Sequence, residues 1–288
     1  MENKCNEEGD HKGDKKKVLF SLSNIGKVER YIREKLLEEY LHFSLIDPDP
    51  NKTRLENIER IVKILEAAGT DAIMVGGSTG VRNSFLDEVL KTIKSSCSLP
   101  TILFPGNPKT GISKYADAIF FLCLMNAKSI EFATGMQAIG SRIVKEFGIE
   151  PIPMGYIIIE PGMTVGTNAN LIKRDEIEKA VGYALASQYM GMRLVYLEAG
   201  SGAYEPVPIE MIRSVKKEIS VPLIVGGGIK TEEQALERID AGADIIVTGN
   251  IIEKNPEQAI KIIKSIKSRK QRNQRTVVLT ESNSYFAV

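Results

Sequence analysis

Tryptophan is absent from this chain, and cysteine and histidine are nearly so: Cys5, Cys97 and Cys123, with His11 and His42. Three cysteines without CxxC or any other metal-ligand spacing argue against a disulfide framework and a structural zinc site, and fit a reducing compartment. Long hydrophobic runs are also missing. The longest uninterrupted one, Ala118 to Met125, falls far short of the roughly 18 residues of a membrane-spanning candidate. Charge of one sign is not in excess either. The 38 basic and 37 acidic side chains leave a net +1, so the general electrostatic footprint of a nucleic-acid binder is lacking and no such partner is expected. The opening residues, MENKCNEEGDHKGDKKK, contain no apolar signal core. A cytoplasmic protein with at most peripheral membrane contact is the expectation.

What is there is a repeating alternation. With 43% hydrophobic residues over 288 positions the chain can bury a substantial core. Apolar runs fall at 41–48, 71–77, 101–106, 118–126, 153–161, 194–201, 222–228 and 244–250. Most are apolar on both faces, as strands of a parallel sheet covered on both sides must be. Amphipathic stretches separate most of them, among them 54–69, 174–191 and 231–242, followed by Gly69, Gly191 and Gly242 where a helix C-cap tolerates positive φ. A further amphipathic segment, 28–40, precedes the first strand, with Tyr31, Leu36, Leu37 and Tyr40 near one stripe. Eight strands with intervening helices predict a closed (β/α)8 TIM barrel of the phosphate-binding type. The interval 107–117, between strands three and four, is too short for a full helix and predicts an irregular segment there. The expected organisation is a charged tail over 1–26, the barrel over 27–268 and a C-terminal tail over 269–288. The basic run Lys261, Lys264, Lys267, Arg269, Lys270, Arg272, Arg275 reads as a solvated helix end complementing the helix dipole.

In such barrels the chemistry sits at the C-terminal ends of the strands. That short list is Asp47, Asp49, Ser78, Thr79, Asn107, Asn126, Glu160, Glu198, Ser201, Gly226 to Gly228 and Gly249. Strand seven runs into GGGIKTEEQA and strand eight into TGNIIEKNPEQA. Two adjacent glycine turns, each opening a helix, let backbone N–H groups approach a bound anion, so they predict the phosphate site found after strands seven and eight. Glu198, ending strand six, is placed to accept a proton from a substrate hydroxyl. Asp47 and Asp49 offer the hard oxygens that Mg²⁺ prefers when it also holds substrate phosphates, although Asp-Pro-Asp-Pro also suits a rigid turn. The histidines carry little: His11 is in the tail, and His42 starts strand one on the barrel's bottom, stability face. No lysine ends a predicted strand, which disfavours a Schiff-base aldolase.

The ordered stretches HFSLIDPDPNK, IMVGGSTG, LFPGN, YIIIEPGMTVG, VYLEAGSGA, LIVGGGI and VTGNIIE resemble the geranylgeranylglyceryl phosphate synthase family, related to the heptaprenylglyceryl phosphate synthases. The resemblance runs from about residue 28 to about 268. It implies a Mg²⁺-dependent prenyltransferase that joins geranylgeranyl diphosphate to sn-glycerol-1-phosphate, the first step of archaeal ether-lipid synthesis. By residue, it implies that Asp47 and Ser78 coordinate Mg²⁺. Tyr196, Leu197, Glu198, Ala199, Gly200, Ser201 and Gly202 would line the glycerol-1-phosphate site, with Glu198 and Tyr196 as the catalytic pair. Gly227, Gly228, Gly249 and Asn250 would hold the phosphate. The prenyl tail needs an apolar groove, for which Ile157, Ile159 and Tyr183 are candidates. A homo-oligomer is expected. The family's DPDK motif is altered here, since Pro50 and Asn51 separate Asp49 from Lys52. A phosphosugar isomerase or a non-catalytic phosphate-binding barrel is the competing reading.

Overall fold

Strand alternation decides which side chains fill the centre of the molecule. The computed structural model describes residues 20–21, 25–50, 53–77, 83–107, 111–269 and 279–280. Its parallel strands are β1 (Leu41–Ile46), β2 (Ala72–Gly77), β3 (Thr101–Pro105), β4 (Ala118–Leu124), β5 (Glu150–Ile158), β6 (Leu194–Glu198), β7 (Leu223–Gly226) and β8 (Ile245–Thr248). They pair in sequence order, and β8 returns to β1 with Leu41 opposite Ile245, closing the barrel. One face of each strand points inward: Phe43, Met74, Phe120, Met154, Tyr196 and Val247 belong to a single inner cluster. The other face packs on the helices.

The outer helices are α2 (Leu55–Ala68), α3 (Asn83–Ser96), α4 (Met136–Phe147), α5 (Ile177–Tyr189), α6 (Ile209–Glu218), α7 (Glu232–Ala241), the short α8 (Asn250–Lys254) and α9 (Pro256–Ser268), preceded in the chain by α1 (Lys27–Lys35). Among the described residues no helix lies between β3 and β4, so the irregular segment falls where the short interval predicts it. Gly69 and Gly242 close α2 and α7 at φ +101° and +116°. Phe20–Ser21 and Leu279–Thr280 form a separate parallel pair. Most of the two predicted tails lies outside the described residues.

Two boundaries differ from expectation for physical reasons. Strand β5 starts at Glu150 rather than at 153. Pro151 and Pro153, two residues apart, both turn their missing N–H toward β6, whose first residue, Leu194, pairs only with Met154. The prolines therefore sit where there is no ladder bond to lose. Helix α1 ends at Lys35 rather than 40, and its apolar face is Val28 and Ile32, with Leu36 of the expected stripe buried just past its end and Tyr31 packed half-buried beside them. That face belongs to the inner cluster and closes the barrel's N-terminal end.

Helix α1 is anchored by side chains from the strands. Both oxygens of Glu150 accept backbone N–H bonds from Val28 and Glu29, each 2.8 Å. Glu29, buried in turn, takes Arg33 and Arg193 at 2.8 and 2.6 Å. At the same end the buried Asp71 carboxylate accepts Lys35 and Lys267 at 2.8 and 2.9 Å and the His42 N–H at 2.9 Å. Lys267 is thus a partly buried tie between α9 and the barrel, not part of a solvated helix end as its basic run suggested. Lys270, Arg272 and Arg275 lie outside the described residues.

Replacing Glu150 by Ala frees two N–H groups at the start of α1 and should lower unfolding free energy by about 1–2 kcal/mol, the usual value of a lost N-terminal cap. Glu150→Gln keeps an acceptor and should lose less. Urea midpoints at unchanged slope read both, and an unaltered midpoint for the alanine variant would show that the cap contributes nothing.

Candidate active site

Strand β6 points Leu194, Tyr196 and Glu198 into the barrel, with Glu198 uppermost and 5% exposed. The chain then turns at Gly200, whose φ of +101° directs its N–H back onto Glu198 Oε1 at 2.6 Å. A side chain at Gly200 would strike the Gly162 backbone, so only glycine permits this return. Beneath Glu198, Tyr196, Tyr156 and Phe104 form an aromatic layer, with ring centroids 5.3 to 5.9 Å apart. Burial pushes the Glu198 carboxyl up from its ordinary range. The Tyr196 hydroxyl, the Gly200 N–H and the Tyr156 hydroxyl favour the charged form but do not offset that cost, and the Asp47 charge adds to it. The Tyr156 hydroxyl is buried and makes no hydrogen bond of ordinary geometry among the described residues. Burial, followed by the Glu198 charge, holds both phenols well above their usual value.

Across the mouth, Asp47 follows β1. It lies against Gly76, where an added methyl would overlap its carboxylate. Burial raises its pKa too. The mouth therefore holds two carboxyl groups, both disfavoured as anions by burial, and the Asp47 charge adds to the shift of Glu198.

The β7 and β8 turns and the β6 loop enclose a cleft of about 210 Å³. Glu198, Ser201, Gly202, Gly227, Gly228, Gly249 and Asn250 all line it, as does the inner-layer Tyr196. Gly227 and Gly228 have φ +83° and +72°. A Cβ at Gly227 would approach the Gly200 nitrogen to 2.6 Å, and one at Gly228 would come within 2.9 Å of the Glu205 carbonyl carbon. Bare backbone at Gly228 is thus needed for the neighbouring loop to pack. Ser201 donates to Asn250 Oδ1 at 2.8 Å, joining the β6 loop to α8.

Other predicted residues fall elsewhere. Leu197 and Ala199 are fully buried among the helices, because strand alternation turns their side chains outward; only their backbone is left to the site. Ile157 and Ile159 are buried on that outer side too, and Tyr183 packs against it, so none forms the apolar groove. The half-buried apolar side chains packed on the inner cluster include instead Phe104, Leu122, Phe132, Val165 and Leu171. Asn126 is a brace, donating to the Ile158 and Asn170 carbonyls at 2.8 and 2.9 Å and accepting the Ile158 N–H at 3.1 Å. Ser78 and Thr79 lie outside the described residues. Among the described residues no group of three His, Cys, Asp or Glu side chains could hold a metal by itself.

Among the cleft residues that sequence reasoning does not single out, Lys230 and Lys254 carry charge. Their signal was present, a lysine soon after each glycine turn in GGGIK and GNIIEK. Neither ends a strand; both lie one short turn further on. They add positive charge to a backbone cradle suited to a phosphate.

The PcrB family matches residues 30–267, which contain every barrel strand and the whole cleft. The chain belongs to the PcrB family. Similar members include the proteins named geranylgeranylglyceryl phosphate synthase from Thermococcus gammatolerans and Pyrococcus horikoshii. The first is 60% identical over 235 residues, 81% of this chain and 92% of the relative. The second is 60% identical over 232 residues, 80% and 90%. Among solved structures, the Thermoplasma acidophilum (S)-3-O-geranylgeranylglyceryl phosphate synthase, in complex with its substrate sn-glycerol-1-phosphate, superposes with a TM-score of 0.81 at 43% identity. It covers 85% of this chain, and the match takes in 100% of that structure.

In this PcrB-family barrel the Tyr196 hydroxyl favours ionised Glu198. Tyr196→Phe should therefore raise the Glu198 pKa further, as followed by the carboxyl infrared band or by carbon NMR of labelled glutamate. An unmoved titration would separate the two groups.

Proposed function

We propose that this chain is a Mg²⁺-dependent prenyltransferase that forms an ether bond between sn-glycerol-1-phosphate and geranylgeranyl diphosphate, the first step of archaeal membrane ether-lipid synthesis. The observation that carries the reading is the position of Glu198. It is a buried carboxyl of raised pKa, set between a cationic phosphate-sized cleft and a mouth lined with apolar side chains. In the reaction, the free primary hydroxyl of glycerol-1-phosphate attacks the first carbon of the prenyl chain. The new C–O bond forms as the bond to diphosphate breaks, diphosphate leaves with the electron pair, and the hydroxyl proton passes to Glu198. Clamping the phosphate in the β7 and β8 turns restricts the nucleophile to one approach. Phe104, Leu122, Phe132, Val165 and Leu171 offer the prenyl tail an apolar surface.

The described donors fit a Mg²⁺ ion of the kind shared with substrate phosphates, which takes only one or two carboxylates from the protein. Asp47 is a hard, partly desolvated oxygen donor at the mouth, and we assign it and Ser78 as the protein ligands. Bound there, Mg²⁺ would neutralise the charge developing on departing diphosphate. The curated relatives named geranylgeranylglyceryl phosphate synthase support the substrate pair. We further propose a homo-oligomer acting in the cytoplasm; no described helix is long and apolar enough to cross a membrane. A phosphosugar isomerase would use the same cleft but gives the apolar rim no task.

Incubation with labelled glycerol-1-phosphate, Mg²⁺ and a series of prenyl diphosphates tests the reading, with a chelator as control. Glu198→Gln should cost ~10²–10⁴-fold in turnover, the range for a lost positioned base, with a much smaller change in glycerol-1-phosphate affinity. A rate within about threefold of wild type at saturation would remove Glu198 from the chemistry. The base works ionised and its pKa is raised, so the wild-type rate should fall with decreasing pH at values above the ordinary carboxylate range. That limb should vanish in the variant.

Asp47→Asn should lower turnover by about a hundredfold or more, since metal charge stabilisation supplies several kcal/mol. It also removes a charge that raises the Glu198 pKa, so the acid limb of the residual activity should move to lower pH. Near-wild-type turnover at limiting Mg²⁺ would refute the metal assignment.

A further inference from the structure

His42 is fully buried on the outer face of β1, far down the strand from the mouth, yet its ring reaches the strand that carries the phosphate turn. Nδ1 lies 2.9 Å from Thr70 Oγ1, and Nε2 lies 2.9 Å from Thr248 Oγ1. Hydrogen-bond counting settles the direction. Thr70 spends its single hydroxyl proton on the His42 carbonyl at 3.0 Å, and it also accepts from the Ser44 hydroxyl at 3.0 Å. It can therefore only accept from the imidazole, which places the ring proton on Nδ1. Burial and nearby Lys267 keep the ring neutral, its pKa lowered to about 3. Neutral imidazole with Nδ1 protonated leaves Nε2 as an acceptor, so Thr248 donates to it.

Thr248 is the last residue of β8 and is 4% exposed. On the β7 side the ladder has already ended, with Gly226 opposite Val247. On the β1 side Ser44 is its last partner. Beyond it the backbone turns through Gly249, at φ −129° and ψ −81°, into Asn250. The strand thus loses one of its two neighbours where the cleft turn begins, and the imidazole supplies a tether there.

We propose that His42 is a positioning residue: through the Thr248 hydroxyl it holds the end of β8 so that the Gly249–Asn250 turn presents a preformed cradle to the phosphate of the acceptor substrate. This rests on the reading above that the cleft binds that phosphate. His42 touches no substrate. Its effect should appear in phosphate affinity and not in the chemical step.

The test measures sn-glycerol-1-phosphate binding by calorimetry and its KM and kcat in turnover, on the full chain. The variants are His42→Phe, Thr248→Val, the double variant and Thr248→Ser. Thr248→Val is nearly isosteric and β-branched, so it keeps the strand even if His42→Phe folds poorly. Each single change should weaken glycerol-1-phosphate binding about five- to tenfold, the value of one lost hydrogen bond, and raise its KM in step. kcat and the KM for prenyl diphosphate should stay within about twofold. The double variant should be no worse than either single one, because both cut the same bond, and Thr248→Ser should recover most of the affinity. Thr248 also lines the cleft, so a loss in Thr248→Val beside wild-type affinity in folded His42→Phe would overturn the proposal. Wild-type affinity in Thr248→Val, additive losses in the double variant, or equal loss of affinity for both substrates would overturn it too. A wild-type protein that binds glycerol-1-phosphate without forming product would refute the prenyltransferase reading and leave the tether to be judged on binding alone. One that does not bind it would overturn both.

Discussion

A carboxylate in a place that disfavours its charge organises the mouth of this barrel. Glu198 is held at the top of the inner layer, 5% exposed at the floor of the cleft and backed by aromatic rings, so little water reaches its anion. The Gly200 N–H and the tyrosine hydroxyls return part of the lost solvation. This arrangement limits its surroundings. Gly200 must reach positive φ to aim its N–H, Gly226 must leave room for the Tyr196 hydroxyl, and Gly227 must leave room for the carboxylate. Several glycines of the motif thus answer to the steric demands of Glu198 as well as to those of a bound anion.

The same barrel separates tasks along its axis and around its rim. At the N-terminal end, α1 covers the inner core, and buried Asp71 draws Lys35, Lys267 and the first strand together, so the helices at both chain ends of the barrel meet at one charge. Such a cluster tolerates little loss, because removing one partner leaves others buried and unmatched. Around the C-terminal rim, the β6 to β8 sector is polar and cationic, while the β3 to β5 sector offers Phe104, Leu122 and the nearby Phe132. An amphipathic pair of reactants, one small and anionic and one long and apolar, suits that division. Glu198 stands at the boundary between the two sectors.

How much of this was legible follows from what each residue type can signal. The eight strands, the glycine-capped helices and the two glycine turns were readable, because apolar runs, helical periodicity and glycine each reflect a local constraint. That Glu198 and Asp47 lie at the mouth end of their strands was readable from position, because the C-terminal ends of barrel strands gather there. Lys230 and Lys254 carry no such mark, because they lie past the strand ends, in turns whose direction is a tertiary property. His42 is a bottom-face residue, as its place at the start of β1 indicates; its reach to Thr248 spans 206 positions of sequence.

By itself, then, the sequence determined the fold class, the order of the strands and the ends at which chemistry gathers. Those follow from local patterns and from a general rule of the architecture. Only the tertiary structure decided the phase of each strand: that Glu198 and Tyr196 face inward while Leu197, Ala199, Ile157 and Ile159 face the helices. The physical reason lies in the parallel sheet. Both of its faces are buried, so both are apolar, and a strand without polar alternation carries no mark of which side is inside until barrel closure and helix packing choose one.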